Sequence, residues 1–180
     1  MALKATIFKA ELTVSDLDRG HFATHTLTIA RHPSETDERM MVRLLAFALN
    51  ADERLAFGRG LSSEGEADLV LTDLTGAIDL WIDVGLPDER EIRKACGRAA
   101  RVAVYTYGTG AELWWRQNAA ALERLPNLAV TEIPVEATRA LAGRAARTMK
   151  LHCTIQDGHV WLADAGESLA VEPRVRKAAG

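Results

Sequence analysis

The stretch AIDLWIDVGLPDEREIRKACGRAARVAVYTY, residues 77–107, carries two strands and a helix in one span. Leu80, Ile82 and Val84 alternate with Asp79, Trp81 and Asp83, so one strand face is apolar and the other sets an indole between two carboxylates. Asp88 with Glu91 three residues on is a capping box, and it opens a helix over 88–99. RVAVYTY then follows as a continuous apolar run, the pattern of a strand covered on both faces. Strand, helix and strand at this spacing predict a right-handed parallel crossover.

Toward the C-terminus the alternation continues. AELWWRQNAAALERL reads as a helix, NLAVTEI as a strand and VEATRALAGRAA as a helix. The chain then closes on a hairpin turned at Asp157-Gly158. Toward the N-terminus, DLVL is a strand joined through TDLTG to the opening one, and FGRGLSSEGE (57–66) is a loop. Ser34 with Asp37 marks a capped start for the helix ETDERMMVRLLAFALN. Ahead of it, KATIFKAELTV and FATHTLTIARH form a hairpin turned at SDLDRG. The expected fold class is mixed α/β (α+β): one mixed parallel and antiparallel sheet flanked by helices, with N- and C-terminal hairpins. Residues 1–180 are read as one domain, and residues 173–180 as a frayed basic tail.

The composition is 48% hydrophobic and 26% charged over 180 residues, ordinary globular usage with enough length for a core. A net charge of −3 gives no global pull toward nucleic acid, so a polyanion would need a local basic patch or a metal. Lys4, Lys9 and Glu11 break up the N-terminal apolar run, and no run reaches the roughly 20 residues of a membrane span. The expectation is a cytoplasmic protein with no membrane partner and no organic cofactor. Cys96 and Cys153 lie far apart within apolar patterns and are read as reduced, buried thiols.

The carboxylates carry the functional question. Glu38 lies three residues before Met41 and seven before Leu45, on the apolar stripe of its helix, and needs a partner there. Asp68 opens one strand and Asp83 ends the next. An acid from an inward helix face and two from neighbouring strand ends can meet at one sheet edge. Mg²⁺ or Mn²⁺ takes such hard oxygen ligands while retaining several waters. Asp79 shares the face of Asp83 and reads equally as one of a solvent-facing row. Three acids converging in this way should repel one another and raise the pKa of at least one.

Three blocks, ARHPSETDERMMVRLLAF (30–47), DLTGAIDLWIDVGLPDEREIRKACGRA (73–99) and RTMKLHCTIQDGHVWLAD (147–164), resemble the bacterial YaeQ family over nearly the full chain. That family resembles the PD-(D/E)XK phosphodiesterase superfamily in fold. The resemblance implies a core of helix, three antiparallel strands, helix and strand over the elements from Ser34 to Tyr107. It aligns Glu38 with the first-helix acid, Asp68 in EADLVL with the PD aspartate, and Asp83 in WIDVG with (D/E). The implied activity is a metal-dependent phosphodiesterase acting on nucleic acid; the alternative is a catalytically silent binding or regulatory module. Gly85 stands where the motif has lysine, so a cation from the next helix is needed, with Arg90, Arg93 and Lys94 as candidates. With Ile92, Ala95, Cys96 and Ala99 facing inward, Lys94 points away from the core and reads as a solvated charge. Trp114 and Trp115 read as packing residues of an amphipathic helix, and His32 as a turn residue. His21, His25, His152 and His159 are assigned no chemistry.

Overall fold

The computed structural model describes residues 4–58 and 65–180; the middle of the expected 57–66 loop lies outside the described residues. The strands are β1 Thr6–Asp16, β2 His21–Arg31, β3 Leu55–Phe57, β4 Leu69–Thr72, β5 Ile78–Val84, β6 Ala99–Thr106, β7 Leu128–Glu132, β8 Thr148–Gln156, β9 His159–Ala163, β10 Ser168–Val171 and β11 Arg174–Lys177. The helices are α1 Asp37–Leu49, α2 Glu89–Arg98, α3 Ala111–Leu122 and α4 Val135–Ala142.

The strands form two mixed sheets and not the single one expected. One has the order β10-β9-β8-β1-β2, the other β11-β7-β6-β5-β4-β3. The two terminal hairpins form as the sequence indicated, but they join each other: β1 pairs with β8 in parallel, and with β10 added on β9 they make the first sheet. Asp18 from the first turn stitches the ends, accepting from the N–H groups of Asp157 (2.7 Å) and Gly158 (2.9 Å). Local pattern finds hairpins, whereas a pairing between residues about 140 positions apart leaves no local trace.

In the second sheet β3, β4 and β5 are antiparallel neighbours, and β5, β6 and β7 run parallel through α2 and α3. The sequence α1, β3, β4, β5, α2, β6 therefore reads helix, three antiparallel strands, helix, strand. Part of the tail expected to fray is a strand. Arg174–Lys177 pairs with β7, and Arg176 donates to Glu132 (2.8 Å) and also pairs with Glu112.

α1 touches β2 of one sheet and β5 of the other, so it lies between them. That explains MMVRLLAFA, every residue of which is buried: a helix covered on all sides loses its polar face. The first core joins α1 to Phe8, Leu12 and Ile29 of one sheet and to Leu69, Leu80 and Ile82 of the other. A second core on the far face of the second sheet packs Trp81, Val102, Val104 and Val130 under Ile92, Ala95 and Leu122. Cys153 is buried and Cys96 partly so, both as free thiols. Burial, helped by Asp16, pushes the Cys153 thiol up to about 12 and leaves it inert.

Candidate functional site

The N-terminus of α1 is capped by Thr36, not Ser34: its Oγ1 accepts from the Arg39 N–H at 3.1 Å. The two-residue shift frees Glu35 from the helix and turns it inward. Glu35 is fully buried at its side chain and takes Arg43 Nη2 at 2.5 Å and Arg39 Nη1 at 2.6 Å. Arg43 is itself completely buried, held also by the Ala30 carbonyl at 3.0 Å and lying over the Phe57 ring.

Arg39 reaches from this network to the strand ends. Its Nη2 donates to Asp68 Oδ1 at 2.7 Å and to the Val84 carbonyl at 3.3 Å. Burial works against the Arg39 charge, and Asp68 with Glu35 outweighs it. Asp68 Oδ2 accepts from the Val84 N–H at 2.7 Å, while its main-chain N–H bonds the Ile82 carbonyl at 2.9 Å. The side chain of Asp68 thus carries the β4–β5 ladder one rung past the strand. Gly58 packs against the same turn so closely that a Cβ there would meet the Ala67 carbonyl oxygen at 2.1 Å.

Asp83 projects from the Trp81 face of β5, and α1 covers the Leu80, Ile82 and Val84 face. Its carboxyl is pushed up to about 6, first by burial and then by Asp68. The Trp81 indole, the Asp68 main chain and Arg39 pull the other way. Among the described residues the buried Trp81 Nε1 makes no hydrogen bond of normal geometry. Three mutually repelling acids were expected, whereas here burial is the larger cause and Asp68 is the one acid that raises Asp83.

Glu38 is occupied differently. Its Oε2 accepts from Thr138 Oγ1 of α4 at 3.0 Å, the partner that its place on the apolar stripe demanded. The Tyr107 hydroxyl, beyond the end of β6, joins this corner. Burial raises its pKa, Arg39 opposes, and Glu38 and Glu35 raise it further. Arg39 therefore acts electrostatically on Asp83 on one side and on Tyr107 on the other. Among the described residues no three His, Cys, Asp or Glu side chains stand together as metal ligands; the close acid pair is Asp68 with Asp83.

Residues 1–173 match the family described as YaeQ protein. The chain belongs to the YaeQ family. Relatives named "Uncharacterized protein YaeQ" are 51% identical in Escherichia coli (strain K12), over 95% of each chain, and 50% identical in Salmonella typhi, over 96% of each. The crystal structure of YaeQ protein from Xanthomonas axonopodis pv. citri matches with a TM-score of 0.94 at 52% identity, covering 97% of this chain and 99% of that one. That of YaeQ protein from Pseudomonas syringae matches at 0.93 with 36% identity, covering 97% of each. Among the described residues of this YaeQ-family chain, no helix is long and apolar enough to cross a membrane.

The remaining candidates fall outside the acid corner. Asp79 is more than a third exposed and faces Arg54 Nη1 at 3.7 Å. Arg90 is exposed on α2, Arg93 pairs with Glu89, and Lys94 donates to Glu91 at 3.1 Å with most of its side chain in water. Lys94→Ala should therefore shift unfolding stability by less than about 0.5 kcal/mol, checked by urea denaturation. Gly85, where the resemblance would have called for lysine, has φ +112°, a conformation that strains any side-chain-bearing residue. Trp114 donates from Nε1 to the Pro87 carbonyl at 3.0 Å and packs with Trp115 against the second core.

The sequence reading missed Glu35, Arg39, Arg43 and Tyr107. An arginine inside MMVRLLAF was the available signal: an internal charge in a helix that is otherwise apolar needs a buried partner.

Proposed function

We propose that this chain is a nuclease-like protein of the PD-(D/E)XK type, a metal-dependent phosphodiesterase acting on nucleic acid, with Asp68 and Asp83 as its central acids. The observation that carries this reading is Asp83. It is a partly buried carboxyl held up to about 6 beside a second carboxylate, with no cationic side chain among the described residues hydrogen-bonded to it. Strongly perturbed acids cluster where chemistry is done. The order of elements from α1 to β6 supports the same reading.

The donor set suits Mg²⁺ or Mn²⁺ as a two-carboxylate site, since these ions keep several waters and take one or two protein carboxylates. Asp68 has one hydrogen bond to each oxygen, and a carboxylate offers about four lone-pair sites, so it can still donate to an ion. Such an ion would lower the pKa of a bound water and offset charge on a phosphate. Arg39 supplies a fixed positive charge where Gly85 leaves none. Glu38 is held by Thr138 and acts on Tyr107 through its charge, and in this reading it is not a direct ligand.

A second reading, a silent binding or regulatory module on the same fold, is favoured by the Arg39–Asp68 ion pair, because a guanidinium already satisfies that acid. Calorimetric titration of the chelator-stripped protein with Mn²⁺, beside Asp83→Asn, separates the two. The first reading expects one ion per chain in the wild type and at least tenfold weaker binding in the variant. It also expects Mn²⁺-dependent cleavage of labelled DNA or RNA oligonucleotides. No heat of binding would leave the silent module standing.

A further inference from the structure

His21 and His25 stand four apart on β2, with Ala23 between them on the same face. Side by side, residues at that spacing on a strand do not touch. Here the two rings lie lengthwise along the strand over the small Ala23 side chain. Their Nε2 atoms are 3.0 Å apart, the ring centres 5.3 Å apart and the planes 13° from parallel. The centre-to-centre distance exceeds the nitrogen separation by the two ring radii, so both nitrogens lie on the line joining the rings. The imidazoles meet head to head, one Nε2–H donating and the other accepting.

We propose that His21 and His25 form a two-imidazole site for Zn²⁺ or a similar imidazole-seeking divalent ion, with Asp52 and Glu53 as the acidic groups that complement its charge. This site is independent of the Asp68–Asp83 corner. Two nitrogens on one tetrahedral zinc, each about 2.0–2.1 Å from it, lie roughly 3.3 Å apart. The observed 3.0 Å separation is thus a few tenths of an ångström short. His25 is buried and set edge-on against Phe47 of α1, so its ring is fixed. His21 is half-buried at the start of its strand, and a tilt of its ring aims both lone pairs at one point beside the line. Asp52 and Glu53 lie just after α1, where their negative charge acts on His25. Asp52 also feels His21, after a first and larger stabilisation from the Arg54 main chain. On binding, the donor ring would carry its proton on Nδ1 instead of Nε2, both Nε2 lone pairs would ligate the ion, and water would complete its coordination.

The test is calorimetric titration of the chelator-stripped full chain with ZnCl₂ at pH 7.5, with nitrogen-detected NMR of the histidine rings. The Nε2 resonances of both histidines should shift as Zn²⁺ is added, and the affinity read from the His25 resonance should fall at least tenfold in His21→Ala. His25 is buried, so its replacement could disturb folding, and the half-buried His21 therefore carries the test. A wild type that takes up no Zn²⁺ overturns the proposal. So does His21→Ala binding Zn²⁺ at His25 as tightly as wild type, or Zn²⁺ uptake that leaves both Nε2 resonances unmoved.

Discussion

Arg43→Met should lower unfolding stability by roughly 3–5 kcal/mol, the usual effect of removing one partner of a buried ion pair. Methionine keeps most of the volume beside Phe57, so little of this loss is a cavity. The loss arises because Glu35, with its side chain fully out of solvent, is left with Arg39 alone to balance its charge. The Ala30 carbonyl loses its 3.0 Å donor as well. Arg43 Nη1 has no partner among the described residues even in the wild type, so the pair is imperfectly satisfied, and replacing it whole should be milder. Glu35→Leu with Arg43→Met is expected to recover more than half of the single-variant loss. Urea denaturation at pH 7.5 measures both, read from the midpoint at unchanged slope. A loss below about 1 kcal/mol for Arg43→Met would show that Glu35 is reached by water and that the network is not buried in solution.

The same network shows what the sequence could and could not carry. The 77–107 stretch was legible because each element is set by its own residues: alternation for β5, Asp88 for the start of α2, an unbroken apolar run for β6. Likewise the Asp157-Gly158 turn requires positive φ at both residues, 52° and 76°, which Asp and Gly tolerate. What escaped is long-range. The parallel β1–β8 pairing splits one expected sheet into two, and the β11–β7 pairing orders a tail whose composition alone suggests fraying. Arg39 joins Asp68 across 29 positions, and Thr138 joins Glu38 across 100. For the site, spacing identified Asp68 and Asp83 as neighbours at two strand ends but could not see which acid a guanidinium would take. The Thr36 cap is a small local event with a large consequence. By starting the helix two residues late it leaves Glu35 free to turn into the core, where its ion pairs orient Arg39 toward the strand ends.

Asp83→Asn should stabilise the metal-free protein at pH 8, by up to about 3 kcal/mol, and the gain should vanish on acidification. The folded carboxyl titrates at about 6, against an unfolded value of about 3.9. A pKa raised on folding means that the native state binds the extra proton between those values. Above the folded value Asp83 is ionised in both states, and its burial beside Asp68 destabilises the fold fully. As pH falls through 6 the native carboxyl takes a proton and the penalty fades, and below the unfolded value it is gone. An amide is never ionised, so the variant escapes the penalty at every pH. The difference between variant and wild type should therefore be largest near pH 8, near half that size at pH 5, and small at pH 4. Because Asp68 keeps its own hydrogen bonds to Arg39 and Val84, the substitution leaves the neighbouring acid in place. Millimolar Mn²⁺ at pH 8 should raise the melting temperature of the wild type by several degrees and that of Asp83→Asn by much less, since an ion bound only to the native state adds its binding free energy to stability. Melts across this pH range, with and without Mn²⁺, measure both effects. An Asp83→Asn protein less stable than wild type at pH 8 would mean that the carboxylate is held by structural hydrogen bonds rather than strained against Asp68, and would remove the main support for a metal site.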